Sequence, residues 1–557
     1  MGDRRYILFN NACFAAVSAV YIATRCAIFK GFNGTDDLHY AMLAANMLKG
    51  SYNPFAAGDI FSGRVLLLAW QALFYRLGGI TVFTTQAPAW LAAVLGCWLT
   101  VFKLAKVGGA IPIITIAALF YFNPVLTYAT DGILPDVYVM LAGIITLLLW
   151  NNSLLANNRR RHIRNGISMA LVVAVCLFFK ETAIVFPVLF TGLTLLQRGR
   201  PAAITCAAML AALFVLGAFS GWLYYHFTGD VFYRLRQVSN SNYYNPCSYN
   251  LLPASFIATR LTYGVWKLFI QSGFYPVLFA TGFICQGMVL GNGKLLWQNN
   301  AVKRFVLLLS IGLYLPFSLS GYQPLCSDSA RHFLFLLPFA VYACAPYLLH
   351  AFAFGKTNHW LFLCCALLLL CVAATPDKWQ WMVWALLAGY FAVQKLVAPK
   401  FAARYKYAAF AAILWLCMPY RLFYNNSNWF ANMRQLNKQL GGNCYYFADH
   451  DNMMHWQLLH GFSPNIHCYN TGPEPYKVFA LYYQQLDSTT FTPGWLVVNT
   501  KYTERSANFL HTVDSLQSRH FFSKQEITGD MQALYIGFPD QLLFVKRLAI
   551  GDEKVVK

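Results

Sequence analysis

Charged side chains are scarce in this sequence, and acidic ones are the scarcest. Only 11% of the 557 residues are Asp, Glu, Lys or Arg, whereas 58% are hydrophobic. Soluble domains carry about 25% charged residues, so this composition excludes an ordinary water-soluble enzyme as a description of the whole chain. So much apolar surface needs a bilayer as its solvent, and we predict a polytopic α-helical membrane protein.

Motifs for metal and nucleotide binding are also missing. The 15 cysteines include no CxxC pair of the kind that binds zinc. No glycine-rich phosphate-binding loop is present, and the predicted cytoplasmic connections are too short to form a nucleotide site. The sequence therefore predicts no particular cofactor. A divalent metal held by paired carboxylates stays an open alternative.

Positive charge is distributed unevenly along the chain. Lys and Arg number 42 against 21 acidic residues, which gives a formal charge of +21. Eighteen of the basic residues fall in short connections between apolar runs, and those connections contain one acid, Asp3. This clustering is the positive-inside signal of membrane insertion, so we expect no nucleic-acid partner. The remaining acids of the membrane region lie in or beside connections of the opposite side: Asp36, Asp37, Asp59, Asp131, Asp136, Glu181, Asp230, Asp328 and Asp377.

About 13 apolar runs are candidates for transmembrane helices. With a cytoplasmic N-terminus, an odd number of crossings places the C-terminal segment outside. The stretch 166–197 is the least regular, because Lys180 and Glu181 interrupt it. The runs are 6–29, 82–102, 110–128, 133–150, 166–179, 183–197, 202–226, 263–290, 305–320, 333–354, 359–375, 379–394 and 407–425.

Two regions differ from these runs. Within 37–78, apolar residues recur at helical spacing, which predicts helices lying in the membrane interface. From residue 426 onward the chain has 11 basic and 11 acidic residues and no long apolar run. Alternating segments at Trp495 and Gln532 indicate strands there. We predict a membrane region over 1–425 and a soluble α/β domain over 426–557 on the periplasmic or lumenal side.

An acidic pair follows the first helix, in the segment 34–40 with the sequence Gly-Thr-Asp-Asp-Leu-His-Tyr. Asp36 and Asp37 could supply a general base or metal ligands. Alternatively, Thr35 or Asp36 caps a helix that starts at Asp37, where carboxylates favour the positive end of the helix dipole. The residues alone leave both interpretations open.

Further charges stand at the ends of apolar runs. Asp131 lies at the outer end of one run and Asp136 at the start of the next. At both positions, capping of a helix end is as plausible as a chemical role. Lys180 and Glu181 interrupt an apolar stretch, where each charge costs about 2.5 to 3.5 kcal/mol and needs a partner or a wet cavity. A mutually neutralising Lys180-Glu181 pair is the simple alternative.

Arginines accompany these acids on the predicted outer face. Arg331 and His332 precede the apolar run 333–354, and Arg64 and Arg260 lie on the same side. Arginine suits phosphate because its planar guanidinium forms charge-assisted bidentate hydrogen bonds. Carboxylates that accept a proton and cations that hold a phosphate, placed beside lipid, indicate group transfer from a lipid-phosphate donor.

The order of these features resembles the GT-C membrane glycosyltransferases, in the branch of the protein O-mannosyltransferases and the lipid A aminoarabinose transferase. The resemblance covers about residues 6 to 350. The acidic motif of the family, Asp-Glu followed by an aromatic residue, is matched by Asp36-Asp37 and Tyr40, with Asp in place of Glu. The Lys-Pro-Pro motif of the family is replaced by Gly63-Arg64-Val65, which keeps only the charge.

Three later positions extend the resemblance. The second acidic position of the family is similar to Pro135-Asp136, and its outer-face lysine is similar to Lys180. The Arg-Tyr segment of the family that leads to a proline resembles Arg331-His332 through Pro338, with histidine in place of tyrosine.

The resemblance implies an inverting glycosyltransferase. Its donor would be a polyprenyl phosphate-linked sugar, and its acceptor a lipid, glycan or protein at the outer face of the membrane. A bacterial inner membrane is the expected location, with the endoplasmic reticulum as an alternative. The implied roles are catalytic for Asp36, Asp37 and Asp136, phosphate-binding for Lys180, Arg331 and Arg64, substrate-binding for His39, Tyr40, Glu181 and His332, and metal-binding, if a metal is used, for Asp36 and Asp37.

Two other classes of function stay open. A transporter or lipid flippase would carry charged residues near the membrane midplane and broken helices. A nonenzymatic envelope component would use the C-terminal segment to bind partners, although 13 helices are excessive for anchoring.

Overall fold

A computed structural model gives the fold as two compact units. The first consists of Met1–Phe29, Asn53–Trp70 and Gln86–Tyr424, and the second of Lys30–Tyr52, Gln71–Thr85 and Asn425–Lys557. The structure describes residues 2–29, 31–32, 35–56, 59–197, 199–239, 252–289, 298–314, 329–354, 365–366, 368–369, 378–397, 403–416, 434–435, 437–438, 445–448, 450–463, 468–470, 494–499, 523–528 and 531–536.

Helices dominate the described residues. Four short π or 3-10 turns adjoin helices, at Leu99–Leu104, Glu181–Ile184, Arg260–Gly264 and Ala330–Leu336. In chain order the helices are α1 (Gly2–Ile28), α2 (Thr35–Lys49), α3 (Val65–Gly78), α4 (Val82–Trp98), α5 (Ala110–Tyr121), α6 (Pro124–Thr130), α7 (Asp136–Leu154), α8 (Arg159–Leu177), α9 (Val185–Gln197), α10 (Arg200–Thr228), α11 (Tyr233–Ser239), α12 (Ala254–Thr259), α13 (Val265–Gln271), α14 (Tyr275–Val289), α15 (Asn300–Tyr314), α16 (Leu337–Phe354), α17 (Lys378–Val397), α18 (Ala403–Leu416) and α19 (His450–Leu459).

Several of these helices are long and apolar enough to cross a bilayer. Within the described residues there are five: Arg5–Ile28, Val82–Leu104, Asp136–Leu154, Arg200–Thr228 and Ala330–Leu349. The pair α5 and α6, bent by 65°, would make a sixth. The total of 13 crossings stays a prediction, and the predicted run 359–375 lies almost wholly outside the described residues.

The bend between α5 and α6 has a local cause. Pro124 is the first residue of α6, and a proline there ends the preceding helix because it cannot donate the next backbone hydrogen bond. Asn123 then caps α6, accepting a hydrogen bond from the Val125 backbone N–H at 2.8 Å. The chain therefore changes direction one short helix before it reaches the acids at 131 and 136.

Close helix packing surrounds α8 and α10. A Cβ at Gly166 of α8 would meet the backbone oxygen of Thr205 and lie 2.9 Å from the Cβ of Ala208, so only glycine allows this approach. Ser153 of α7 joins the same packing through hydrogen bonds to Thr205 and, at 3.1 Å, to Nδ1 of His162. Small residues thus bring α7, α8 and α10 together.

The outward faces of the long helices are apolar. On α10, Phe214 is 79% exposed, Val215 64% and Phe219 53%, a pattern that water would not favour. Exposed apolar surface on helices of this length is the face that lipid covers. The prediction of an integral membrane protein is confirmed.

The second compact unit combines α2 and α19 with a mixed sheet. The helices predicted within 37–78 are present as α2 and α3, and the strands predicted at Trp495 and Gln532 are confirmed. The sheet order is β2-β1-β3-β5-β4, with β1 parallel to β2 and β3, and β5 antiparallel to β3 and β4. The strands are β1 (Tyr445–Ala448), β2 (Cys468–Asn470), β3 (Gly494–Asn499), β4 (Ser523–Thr528) and β5 (Met531–Ile536). That residues 426–557 form an external soluble domain stays a prediction.

Candidate active site

Two residues from distant parts of the chain contact Lys180. The Lys180 ammonium donates to Oδ1 of Asp136 at 2.6 Å and lies 2.9 Å from Nδ1 of His332. An ammonium has no lone pair to accept with, so His332 Nδ1 is the acceptor and the imidazole carries its proton on Nε2. We call Asp136, Lys180 and His332 the Lys180 cluster.

Local backbone structure presents each member of the cluster. Asp136 is the first residue of α7, directly after Pro135, and no side-chain capping bond is made at this helix start. Lys180 is extended, with φ −161° and ψ 138°, between α8 and the turn Glu181–Ile184. His332 lies in the 3-10 turn before α16. The capping interpretation of Asp136 is therefore wrong, because its carboxylate reaches across to Lys180.

Together with Arg331, the Lys180 cluster has two cationic side chains and one carboxylate within the part of the chain that the structure describes. Arg331 interacts electrostatically with both Asp136 and Lys180, and its guanidinium lies 5.8 Å from the ring centre of Tyr128. Among the described residues Asp136 supplies the carboxylate, and its Oδ2 atom has no hydrogen-bond partner there. Lys180 and Asp136 are both 3% exposed, so little water screens these charges. A phosphate group suits such an environment.

Glu181 turns away from Lys180 and binds two arginines. Its Oε2 atom lies 3.2 Å from Nη2 of Arg64, and its Oε1 atom accepts from Arg234 of α11. A mutually neutralising Lys180-Glu181 pair is therefore wrong: adjacent residues in the sequence serve two separate ionic groups. Sequence reasoning missed Arg234, because a Tyr-Arg-Leu-Arg segment inside a predicted outer loop carries no motif.

Helix α11 also fastens the segment before Arg64. Tyr233 donates to the Phe55 carbonyl at 2.8 Å, Arg234 to the Ile60 carbonyl at 3.0 Å, and Gln237 to Oγ of Ser62 at 3.1 Å. A Cβ at position 63 would collide with the Arg234 guanidinium, so the glycine before Arg64 is a requirement of close packing. Arg64 is thus held by contacts on both sides.

An apolar cavity of about 320 Å³ adjoins this group. Gly63 and Val65, the neighbours of Arg64, both line it. The cavity therefore lies beside the backbone of Arg64 and has the apolar character that a hydrocarbon chain needs. Its apolar lining includes Phe55, Leu66, Phe178, Leu223 and Phe227.

A second buried ion pair stands five residues from Asp136. Asp131, at the end of α6, binds the guanidinium of Arg25 on α1. Gln86 donates to the Asp131 backbone oxygen at 3.0 Å, and Tyr21 bonds Thr130 at 2.7 Å. Sequence reasoning placed Asp131 among the outer acids but overlooked Arg25, although a charge inside the apolar run 6–29 is itself a signal.

The acidic pair lies in the second compact unit, in the first turn of α2. This helix begins at Thr35, so the prediction that Thr35 or Asp36 caps a helix starting at Asp37 is wrong by two residues. Both carboxylates still lie at the positive end of the helix dipole. Asp37 and Tyr40 are buried, whereas Asp36 and His39 are partly accessible. Of the two acids, Asp36 is the one that a reactant can reach.

No group of three or more His, Cys, Asp or Glu side chains suited to a metal occurs within the ranges that the structure describes. Asp36 and Asp37 alone would give a metal two protein carboxylates. Their assignment as metal ligands stays a prediction.

Comparison with known proteins identifies the fold. No protein-family model matches the chain, and no curated protein matches it in sequence. ArnT from Cupriavidus metallidurans, bound to undecaprenyl phosphate, superposes with a TM-score of 0.55 and 13% identity, over 93% of this chain and 97% of ArnT. The apo state of ArnT gives 0.55 and 12%, over 96% and 98%.

A third solved structure is less similar. The arabinosyltransferase EmbB from Mycobacterium smegmatis gives a TM-score of 0.42 at 13% identity, over 81% of this chain and 42% of EmbB. The fold assignment therefore relies on ArnT, the lipid A aminoarabinose transferase, along nearly its whole length. The predicted resemblance is confirmed at the level of the fold: this chain has the fold of a GT-C membrane glycosyltransferase.

Proposed function

We propose that this chain is a membrane glycosyltransferase that takes a sugar from a polyprenyl phosphate-linked donor. The observation that carries the proposal is that two cations, the buried Lys180 and the partly buried Arg331, accompany the one carboxylate of Asp136 among the described residues, in a protein with the fold of ArnT. The ArnT structure holds undecaprenyl phosphate, whose phosphate and long apolar chain are the chemistry that such cations and a neighbouring apolar cavity would bind.

The proposed reaction is a single inverting displacement. The nucleophilic atom of a lipid, glycan or protein acceptor bonds to the anomeric carbon as the bond from that carbon to the phosphate oxygen breaks. The phosphate leaves with the electron pair, and the acceptor proton passes to Asp36. Asp36 suits the role of base because it is the more accessible acid of its pair.

Cations stabilise the departing phosphate in this proposal. Lys180, Arg331 and Arg64 would bind it, because charge grows on its oxygens as the bond breaks. Asp136 and His332 position Lys180, and Glu181 positions Arg64. For Glu181 this replaces direct substrate binding with an indirect role.

The remaining roles follow the family resemblance. His39 and Tyr40 would contact substrate, Asp37 would orient groups near Asp36, and any divalent metal would bind to these two acids. The reaction would take place at the outer face, with the N-terminus in the cytoplasm and residues 426–557 in the periplasm of a bacterial inner membrane. Thirteen crossings are part of the same proposal.

Transfer of radiolabelled sugar tests the function directly. Membranes containing wild type, Asp36→Asn or Asp230→Asn are supplied with a panel of polyprenyl phosphate sugars, with protein abundance measured in each. Asp230 is a matched control, since its carboxylate pairs with the exposed Arg236 at 3.0 Å and accepts a local hydrogen bond from the Phe232 N–H at 2.9 Å, and neither partner belongs to the proposed site. We expect transfer by wild type and Asp230→Asn and its loss in Asp36→Asn. Equal activity in all three would remove Asp36 from the mechanism.

A transporter or lipid flippase is the second candidate. The bent pair α5 and α6 favours it, because transporters use broken helices and buried charges near their substrate. Movement of a labelled polyprenyl phosphate between the leaflets of proteoliposomes, with no sugar transfer from any donor, would support this alternative and contradict the enzyme.

A further inference from the structure

The C-terminal region supplies a helix that packs against the acidic helix α2. Within the second compact unit, α19 contacts α2. Near the start of α2, the ring of Phe32 lies 6.3 Å from that of His455. At the end of α2, Lys49 binds the turn that follows α19. Contacts therefore extend from before Asp36 to the last residue of the helix.

Lys49 forms a specific junction at that turn. Its ammonium donates to the carbonyl oxygen of Gly461 at 3.1 Å and to that of Phe462. Two carbonyls on one ammonium fix its position more firmly than a single bond would. Lys49 is also the last residue of α2, where a positive charge is favoured by the helix dipole.

The accepting turn has a defined backbone conformation. Gly461 has φ +63° and Phe462 φ +52°, and the Phe462 N–H donates back to the Gln457 carbonyl at 2.7 Å. A phenylalanine with positive φ is held there against its own steric preference. This left-handed turn ends α19 and leaves the carbonyl oxygens of Gly461 and Phe462 to Lys49.

Both helices carry fully or almost fully buried side chains. Leu38, Ala41 and Ala45 of α2 are fully buried, and Met454 and Trp456 of α19 are 1% and 3% exposed. Lys49 itself is exposed at the edge of this contact. Substitution of Lys49 therefore removes the junction without opening a cavity in the core.

We infer that α19 supports the acidic helix α2 and that Lys49 is a positioning residue. Lys49 holds α2 in the orientation in which Asp36 meets its substrate. This inference rests on the proposed glycosyl transfer. Displacement of a catalytic group by about 1 Å can cost on the order of a hundred-fold in rate, so the anchoring of α2 has kinetic consequences. The C-terminal region thereby acts on the chemistry as well as on stability.

Lys49→Met, Lys49→Arg and Arg76→Met test the inference in the full-length protein. Arg76 is an exposed basic residue in the last turn of α3, in the same compact unit. For Lys49→Met we expect kcat to fall roughly ten-fold or more with the donor KM unchanged. Hydrogen–deuterium exchange of the α2 amides should rise in this variant. Lys49→Arg should restore most of both, and Arg76→Met should match wild type.

The results separate positioning from stability and from the proposed function. Wild-type kcat per folded molecule in Lys49→Met, whatever its abundance, would overturn the inference, and so would a Lys49→Arg variant as slow as Lys49→Met. If wild type transfers sugar from no donor, the proposed function fails and the kinetic role of Lys49 fails with it. Exchange of α2 would then still decide whether Lys49 holds the helix.

Discussion

Asp131 and Asp136 are five residues apart, both buried and both paired with a cation, yet their surroundings differ. Asp131 binds Arg25 of α1, so one negative charge meets one positive charge. Asp136 binds Lys180, which also contacts His332 and interacts electrostatically with Arg331. A balanced buried pair fastens helices, whereas a group with excess positive charge can also hold an anion.

Packing reinforces this contrast. The Arg25-Asp131 pair is enclosed by hydrogen-bonded neighbours from other helices, Tyr21 with Thr130 and Gln86 with the Asp131 backbone. The Lys180 cluster lies where two helices begin and one ends, at irregular backbone segments. Irregular backbone at a membrane helix end is tolerated where it is buried in protein or lines a cavity, which is also where a substrate can enter.

The largest expected effect is loss of folded protein on breaking the balanced pair. Arg25→Met leaves the Asp131 carboxylate buried without its guanidinium and should destabilise the protein by about 3 to 5 kcal/mol. Removing both charges in Arg25→Met/Asp131→Asn should recover most of this stability. Thermal unfolding of detergent-purified protein measures it. A double variant as unstable as Arg25→Met would contradict the interpretation of Arg25 and Asp131 as a balanced structural pair.

The same pair of variants at the Lys180 cluster should separate stability from activity. Lys180→Gln should reduce sugar transfer by about 10² to 10³-fold, the usual cost of losing one electrostatic stabiliser of a transition state. Lys180→Gln/Asp136→Asn returns the group to its wild-type net charge and should recover stability but not activity. Recovery of transfer in the double variant would make Lys180 a structural residue like Arg25.

Undecaprenyl phosphate binding gives a readout of Lys180 that does not depend on turnover. The lipid should raise the unfolding temperature of wild type and of Arg25→Met/Asp131→Asn, because a ligand stabilises the state that it binds. It should have little effect on Lys180→Gln/Asp136→Asn. Equal stabilisation of all three would contradict phosphate binding by Lys180.

A smaller effect on kinetics is expected at Glu181. In Glu181→Gln the amide oxygen can still accept from one of the two arginines, but the amide NH2 is a donor and cannot accept from the other, and the negative charge is lost. Arg64 should therefore be positioned less firmly. We expect a several-fold rise in the donor KM, since one charge-assisted hydrogen bond contributes about 1 kcal/mol more than a neutral one. Arg236→Gln, which removes the exposed ion pair with Asp230, should leave kinetics unchanged.

The smallest expected effect concerns pH and the second unit. Burial lowers the pKa of His460 below its ordinary value of 6.5, and its ring lies 4.8 Å from that of Trp456. The unfolded chain therefore binds a proton more readily, and stability should decline as pH falls through about 6.5 toward the folded pKa. His460→Gln should flatten this part of the stability profile. An unchanged profile would assign the pH dependence to other groups.

Local features of the sequence predicted the secondary structure well. The run 6–29 is α1 (Gly2–Ile28), the run 202–226 is α10 (Arg200–Thr228), and both predicted strands are present. The doubtful stretch 166–197 resolves into α8 and α9, separated by an extended Lys180. Such elements depend on neighbouring residues, because apolar runs, prolines and glycines act within a few positions of the chain.

The sequence by itself determined that this protein enters a membrane and which charged residues interrupt its apolar helices, because a buried charge is conspicuous wherever it occurs. Only the tertiary structure decided their partners: Lys180 binds Asp136, 44 residues away, and His332, 152 away, while Glu181 binds Arg64 and Arg234. Ion pairs form between groups that folding brings within a few ångströms, and sequence separation does not record that distance.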